Sequence, residues 1–117
     1  MKLAIVGSRT FKNYQKMHGE IAALVESGDM AAPTEIVSGG AAGADSLGQR
    51  YASEMGLEFT GFLPEWDKHG KSAGFRRNVQ IVDYADKVIA FWDGISRGTK
   101  HTIGLAEKAG KLIKVVE

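Results

Sequence analysis

The 117-residue sequence predicts an α/β fold in which about five parallel strands carry helices on both faces. Three observations predict it. Short β-prone runs alternate with segments of helical spacing, the pattern of repeated βαβ units. The strand-like runs are almost wholly apolar, as strands covered on both faces must be. Polar, glycine-bearing segments stand where strands end and helices begin, which is where such sheets hold their ligands.

Leu3 to Val6 reads as the first strand, stopped by Gly7 and followed by the polar segment GSRTF. From Tyr14 to Ser27, Met17, Ile21, Leu24 and Val25 recur at helical intervals, and Gly28 ends the run. Glu35 to Ser38 is the second strand, opening directly into the turn SGGAAGAD at residues 38–45. Gly43 to Met55 follows as a helix with Ala44, Leu47, Tyr51 and Met55 on one face and Gly56 as its stop.

Leu57 to Leu63 reads as a third strand, and PEWDKHGKSAG, residues 64–74, as a loop long enough to suggest function. Phe75 to Tyr84 fits a third helix with Phe75, Val79 and Val82 as its apolar positions, and Lys87 to Phe91 a fourth strand. Thr99 to Ala109 is a fourth helix ended by Gly110, and Leu112 to Val116 a fifth strand. Right-handed crossovers then favour the order 3-2-1-4-5, a single Rossmann-like three-layer sandwich over residues 1–117. Ligands of such a sheet sit beside the first strand, where the order reverses.

Composition narrows the class. Hydrophobic residues make up 44% and charged residues 25%, so the chain has the means to fold and no sign of disorder. No apolar run approaches the roughly 20 residues that span a bilayer, and the opening MKLAIVG reaches a polar turn too soon for a secretory signal. Without cysteine there are no disulfides, thiolate metal sites or thiol nucleophile, and the expected location is the cytoplasm. A net charge of +1 gives no global reason to bind nucleic acid, which is therefore not the expected partner.

The candidate site residues lie in the segments that follow the strands. In SGGAAGAD, Ser38, Gly39, Gly40 and Gly43 form a turn that opens a helix without the full dinucleotide or Walker A fingerprint. Its free amides suit phosphate or ribose oxygens, and its glycines equally suit a tight turn. Asp45 in the first turn of that helix has three readings: a cap, an acceptor for ribose hydroxyls, or the candidate catalytic carboxylate. GISRGT repeats the device with Arg97, Gly98 and Thr99, while Gly7, Ser8 and Arg9 add a turn, a hydroxyl and a cation after the first strand.

Arg76, Arg77 and Asn78 open the third helix, where cations oppose the dipole; either an anionic ligand or a nearby carboxylate would account for them. Trp66 and Trp92 offer faces for a base or, equally, closures of local apolar patches. The three histidines show no ligand spacing, so no metal and no resident cofactor are expected. There is no nucleophile elbow.

Taken in order, VSGGAAGADSLGQRYA, then P-E-W, AGFRRN and FWDGISRGTKHTIGLAEKAG resemble the small SLOG-superfamily domains of the YspA/YpsA-related type. The resemblance runs over nearly the whole chain. It extends more distantly to the Lonely Guy phosphoribohydrolases, which release a base from nucleoside monophosphates, and to DNA-processing protein A, which binds single-stranded DNA. Arg77 matches the hydrolases' arginine, and Gly98 and Thr99 match the glycine-threonine pair of their G-G-x-G-T-x-x-E motif. Thr102 stands at the motif's glutamate, and a hydroxyl cannot serve as a carboxylate base or stabilise an oxocarbenium-like sugar by charge. The resemblance thus implies a pocket for a nucleotide or an ADP-ribose- or NAD-related derivative, with N-glycosidic hydrolysis as the alternative and single-stranded nucleic acid third. It also implies self-association.

Overall fold

The computed structural model describes residues 1–117. Its strands are β1 (Lys2–Gly7), β2 (Glu35–Ser38), β3 (Glu58–Gly61), β4 (Lys87–Phe91) and β5 (Leu112–Val116). They form one parallel sheet in the order β3-β2-β1-β4-β5. The chain runs outward from β1 to β3 and then returns to β4 on the other side, so the order reverses beside β1.

Alternation within the strands divides the core in two. Leu3 and Ile5 of β1, Ile36 of β2 and Ile89 and Phe91 of β4 pack beneath α1 (Tyr14–Glu26) and α2 (Ala44–Met55). Ala4, Val6, Val37, Val88 and Ala90, the intervening residues, pack beneath α4 (Ala73–Tyr84) and α5 (Arg97–Lys108). Because side chains of a strand point alternately to opposite faces, an unbroken apolar run is what this arrangement needs. No helix is long and apolar enough to cross a membrane.

Helix boundaries follow local chemistry. Asn13 caps α1 by accepting the Lys16 amide at 3.0 Å, and Gly56 ends α2 in the left-handed conformation, φ 69°. Five expectations need correction. Residues 64–74 are not one loop: Trp66–His69 forms a short helix α3, Gly70–Ser72 a 3₁₀ turn, and both run into α4 two residues earlier than periodicity suggests. The Glu65 carbonyl accepts the Lys68 and His69 amides, and Ser72 Oγ donates to the His69 carbonyl, so local polar bonds build what apolar spacing does not show.

The third strand is shorter than Leu57 to Leu63, and Leu63 is exposed beyond it. Met55 also lies open, because the last turn of α2 is past the part of that helix that covers the sheet. On α4 the buried positions are Ala73, Asn78, Ile81 and Val82, so Phe75 and Val79 face outward instead of inward. A polar residue, Asn78, occupies the face that apolar spacing assigns to those two. Finally, α5 begins at Arg97, two residues before Thr99, because Asp93 Oδ1 accepts the Ile95 and Ser96 amides and turns the chain early.

Candidate functional site

A cleft of about 350 Å³ opens at the carboxyl ends of β1 and β4, beside the reversal of strand order. Val6, Gly7, Arg9 and Thr10 form its β1 side; Ala41 and Asp45 come from the start of α2, and Arg77, Asn78 and Ile81 from α4. Asp93, Ser96, Gly98, Thr99 and Thr102 complete it from the segment after β4.

Arg77 spans the back of the cleft. Its Nη1 donates to the Gly39 carbonyl at 2.7 Å and its Nε donates to Asn78 Oδ1 at 2.9 Å. Burial lowers the guanidinium's pKa, opposed by the charge of Asp45. Burial pushes the Asp45 carboxyl up, opposed by the Ala41 amide, which donates to Oδ2 at 3.2 Å, and by Arg77. Asp45 is therefore a latch on the turn before it, joined by charge to Arg77.

Asn78 connects three elements. With Oδ1 taken by Arg77, its Nδ2 faces the Gly98 carbonyl at 3.3 Å and His101 Nδ1 at 3.2 Å. Nδ1 must then be the accepting nitrogen of a neutral ring, consistent with burial lowering the His101 pKa. Thr102 Oγ1 donates to the Gly98 carbonyl at 3.2 Å, and Thr99 Oγ1 lies 3.1 Å from Ser96 Oγ.

The beginning of α5 is open toward this cleft. The amides of Arg97, Gly98 and Thr99 have no acceptor within the protein, and Ser96 provides no side-chain cap. The Asp93 carboxyl is held below its ordinary pKa by the Ser96 and Ile95 amides, from which it accepts hydrogen bonds.

Of the residues named from sequence, Gly7, Arg9, Asp45, Arg77, Asn78, Gly98 and Thr99 meet in the cleft lining. Ser8 is buried behind it, its Oγ accepting the Asp93 amide at 3.0 Å and tying the β1 turn to the β4 turn. Ser38 and Gly39 are buried at the end of β2, Gly40 faces Leu63, and Gly43 lies against the Ser8 and Arg9 carbonyls. Trp92 donates its Nε1 to the Ser96 carbonyl at 3.0 Å, Trp66 stands exposed on α3, and Arg97 lies on the outer side of α5. None of these last eight lines the cleft.

Thr10, Ala41 and Ser96 line it as well, although no motif singles them out. Each belongs to a segment that the sequence marks, so the segment is visible there and the individual side chain is not.

A Rossmann-like parallel sheet with a polar, two-arginine cleft at its switch point defines the general class, an α/β ligand-binding fold. The family model described as the YspA, cpYpsA-related SLOG family matches residues 1–69, and the chain belongs to that family. The Gene 61 protein of Mycobacterium phage D29 is 36% identical over 115 residues, which cover 93% of this chain and 90% of that protein. Among solved structures, DNA processing protein A from Helicobacter pylori, described for its single-stranded DNA binding mode, is similar with a TM-score of 0.71 and 25% identity. That match covers 100% of this chain and 66% of the Helicobacter chain, so the chain spans a little under two thirds of its length.

Proposed function

We propose that the cleft binds a nucleotide or nucleotide derivative carrying phosphate, of the ADP-ribose or NAD-related kind, as a sensing or sequestering module. The observation that carries this reading is the set of three unpaired amides at the start of α5, two of them on Gly98 and Thr99, which line the same cleft as Arg9 and Arg77. Free amides at the positive end of a helix suit phosphate oxygens, and arginine adds charge and forked donors. Asp45 and Thr10 line the same cleft, and in this reading their oxygens take the ribose hydroxyls. Membership of the SLOG family supports the reading, as does a structural relative that binds single-stranded DNA, a polymer of nucleotides.

The test is a thermal-shift screen against nucleotides, NAD, ADP-ribose and cyclic dinucleotides, with stabilised samples examined chromatographically for breakdown. A ligand that raises Tm and stays intact supports binding without turnover. Arg9→Ala should weaken that shift at unchanged basal Tm, because Arg9 is exposed and its side chain has no hydrogen bond or ion pair within the protein. An unaltered shift in Arg9→Ala and in Arg77→Ala would refute the assignment of both cations.

A second reading, cleavage of an N-glycosidic bond, is favoured by one feature. Asp45 is a buried carboxyl on the cleft wall with its pKa raised, the condition of a general acid. Release of base that is abolished in Asp45→Ala and retained in Ser72→Ala would move this reading to first place.

A further inference from the structure

The near-neutral total charge conceals a division. Residues 1–65 hold eight carboxylates and five cations, whereas residues 66–114 hold ten cations and five carboxylates. Four of the second group, Arg76 on α4 and Arg97, Lys100 and Lys108 on α5, stand away from the cleft. There a groove of about 480 Å³ runs between the outer sides of the two helices, lined by Phe75, Arg97, Lys100, His101, Leu105 and Lys108, with Gly104 on its floor. No carboxylate lines it.

Phe75 is 52% exposed, a large apolar surface to leave in water, and its ring meets His101 edge to face at 4.6 Å between centroids. Gly104 is equally unexplained by the fold: a Cβ there would meet nothing within 4 Å. Glycine inside a helix is less favourable than alanine, because it loses more backbone freedom on folding. What it leaves is open space in the lining that Phe75 shares. From Arg97 to Lys108 the cations extend along about 16 Å of helix. An adjoining hollow lined by His69, Arg76, Val79 and Gln80 carries the cationic, partly apolar surface farther across α4.

We propose that this outer groove binds single-stranded nucleic acid, independently of the small ligand in the cleft. Phe75 supplies the ring on which a base stacks, Gly104 the clearance for it, and Arg97, Lys100 and Lys108 the charges that follow the phosphates. An acidic protein segment would satisfy the cations equally well, but its carboxylates offer no aromatic face to stack on Phe75. A duplex presents its bases stacked on one another, so only an unpaired strand can use the ring.

The test is fluorescence anisotropy of the full chain with a labelled oligothymidylate over a range of salt concentrations. Binding should weaken steeply with salt, with a log–log slope of about −0.7 for each phosphate that the groove neutralises. Phe75→Ala should reduce affinity roughly tenfold, as removal of one stacked base does. Lys100→Glu with Lys108→Glu should abolish binding and flatten the salt dependence, while Arg50→Glu, on the opposite face of the sheet, should retain it. Gly104→Leu, which fills the open space without altering charge, should also weaken binding. These positions all lie outside the buried core, so circular dichroism should show folded variants.

Failure to bind the oligonucleotide, or wild-type affinity in both Phe75→Ala and the double lysine variant, would overturn the proposal. So would polyglutamate binding as tightly and depending on the same residues, which would assign the groove to an acidic protein. A positive thermal shift with small nucleotides is compatible with either outcome, because it reports on the cleft alone.

Discussion

The starts of α2 and α5 look alike in sequence, each a glycine-bearing turn between a strand and a helix, yet the fold uses them in opposite ways. At the α2 start the glycines are consumed by packing. A Cβ on Gly39 would lie 2.5 Å from Arg77 Nη1 and 2.9 Å from Asp45 Oδ2; on Gly43 it would lie 2.4 Å from the Ser8 and Arg9 carbonyl oxygens. At the α5 start, Cβ atoms on Gly94 and Gly98 would meet nothing within 4 Å, and three amides stay unpaired. One turn holds the cleft together and the other is left open within it.

That difference predicts unequal tolerance of the same substitution. Gly43→Ala should be the most damaging: φ is +75°, which L-residues avoid, and the obstructing atoms are backbone. A destabilisation of about 3 kcal/mol follows from strain and overlap together, read as a fall in the urea midpoint. Gly39→Ala should cost less, about 1–2 kcal/mol, because the atoms in its way belong to side chains that can yield. It should, however, displace Arg77 and weaken the nucleotide-induced thermal shift more than its stability loss accounts for. Equal losses at Gly43, Gly39 and Gly98 would dissolve the distinction between the two turns.

The same contrast shows how far the sequence could be read. Period-2 and period-3.6 spacing, with the short apolar strands, suffice for the five strands, their order and the faces of α1 and α2, because burial dictates those patterns. They mislead on α4, where Asn78 replaces an apolar residue on the inner face and Phe75 and Val79 turn outward. An Asn that binds Arg77, Gly98 and His101 at once depends on partners 20 and 23 residues away, for which spacing holds no signal. Of the site, the segments are legible and their roles are not: glycine chosen for clearance and glycine chosen for packing are the same letter.

Asp45 sharpens the comparison through pH. Its pKa is raised in the fold, chiefly by burial, so the folded state favours the protonated form more than the unfolded chain does. Its contribution is therefore fully present below the ordinary aspartate range and is lost as pH rises through the elevated value. Asp45→Asn keeps an oxygen for the Ala41 amide and removes the buried charge. The variant should be at least as stable as the parent near neutral pH, with a flatter urea-denaturation profile as pH rises above the ordinary aspartate range. A marked loss of stability near neutral pH would instead show that attraction to Arg77 outweighs burial.

The smallest effect belongs to the open turn. Gly98 is the second residue of α5, where alanine is a better helix former and where nothing obstructs a methyl group. Gly98→Ala should leave stability unchanged or raise it by at most about 0.5 kcal/mol, since an alanine loses less backbone freedom on folding. If the unpaired amides of this turn hold phosphate, the new methyl group stands on the cleft lining beside the ligand. Gly98→Ala should then lose the nucleotide-induced shift in Tm while keeping its basal Tm, unlike Gly39→Ala, which should lower both. A Gly98→Ala protein that still responds fully to nucleotide would place the phosphate away from the α5 amides and return the burden of anion binding to Arg9 and Arg77.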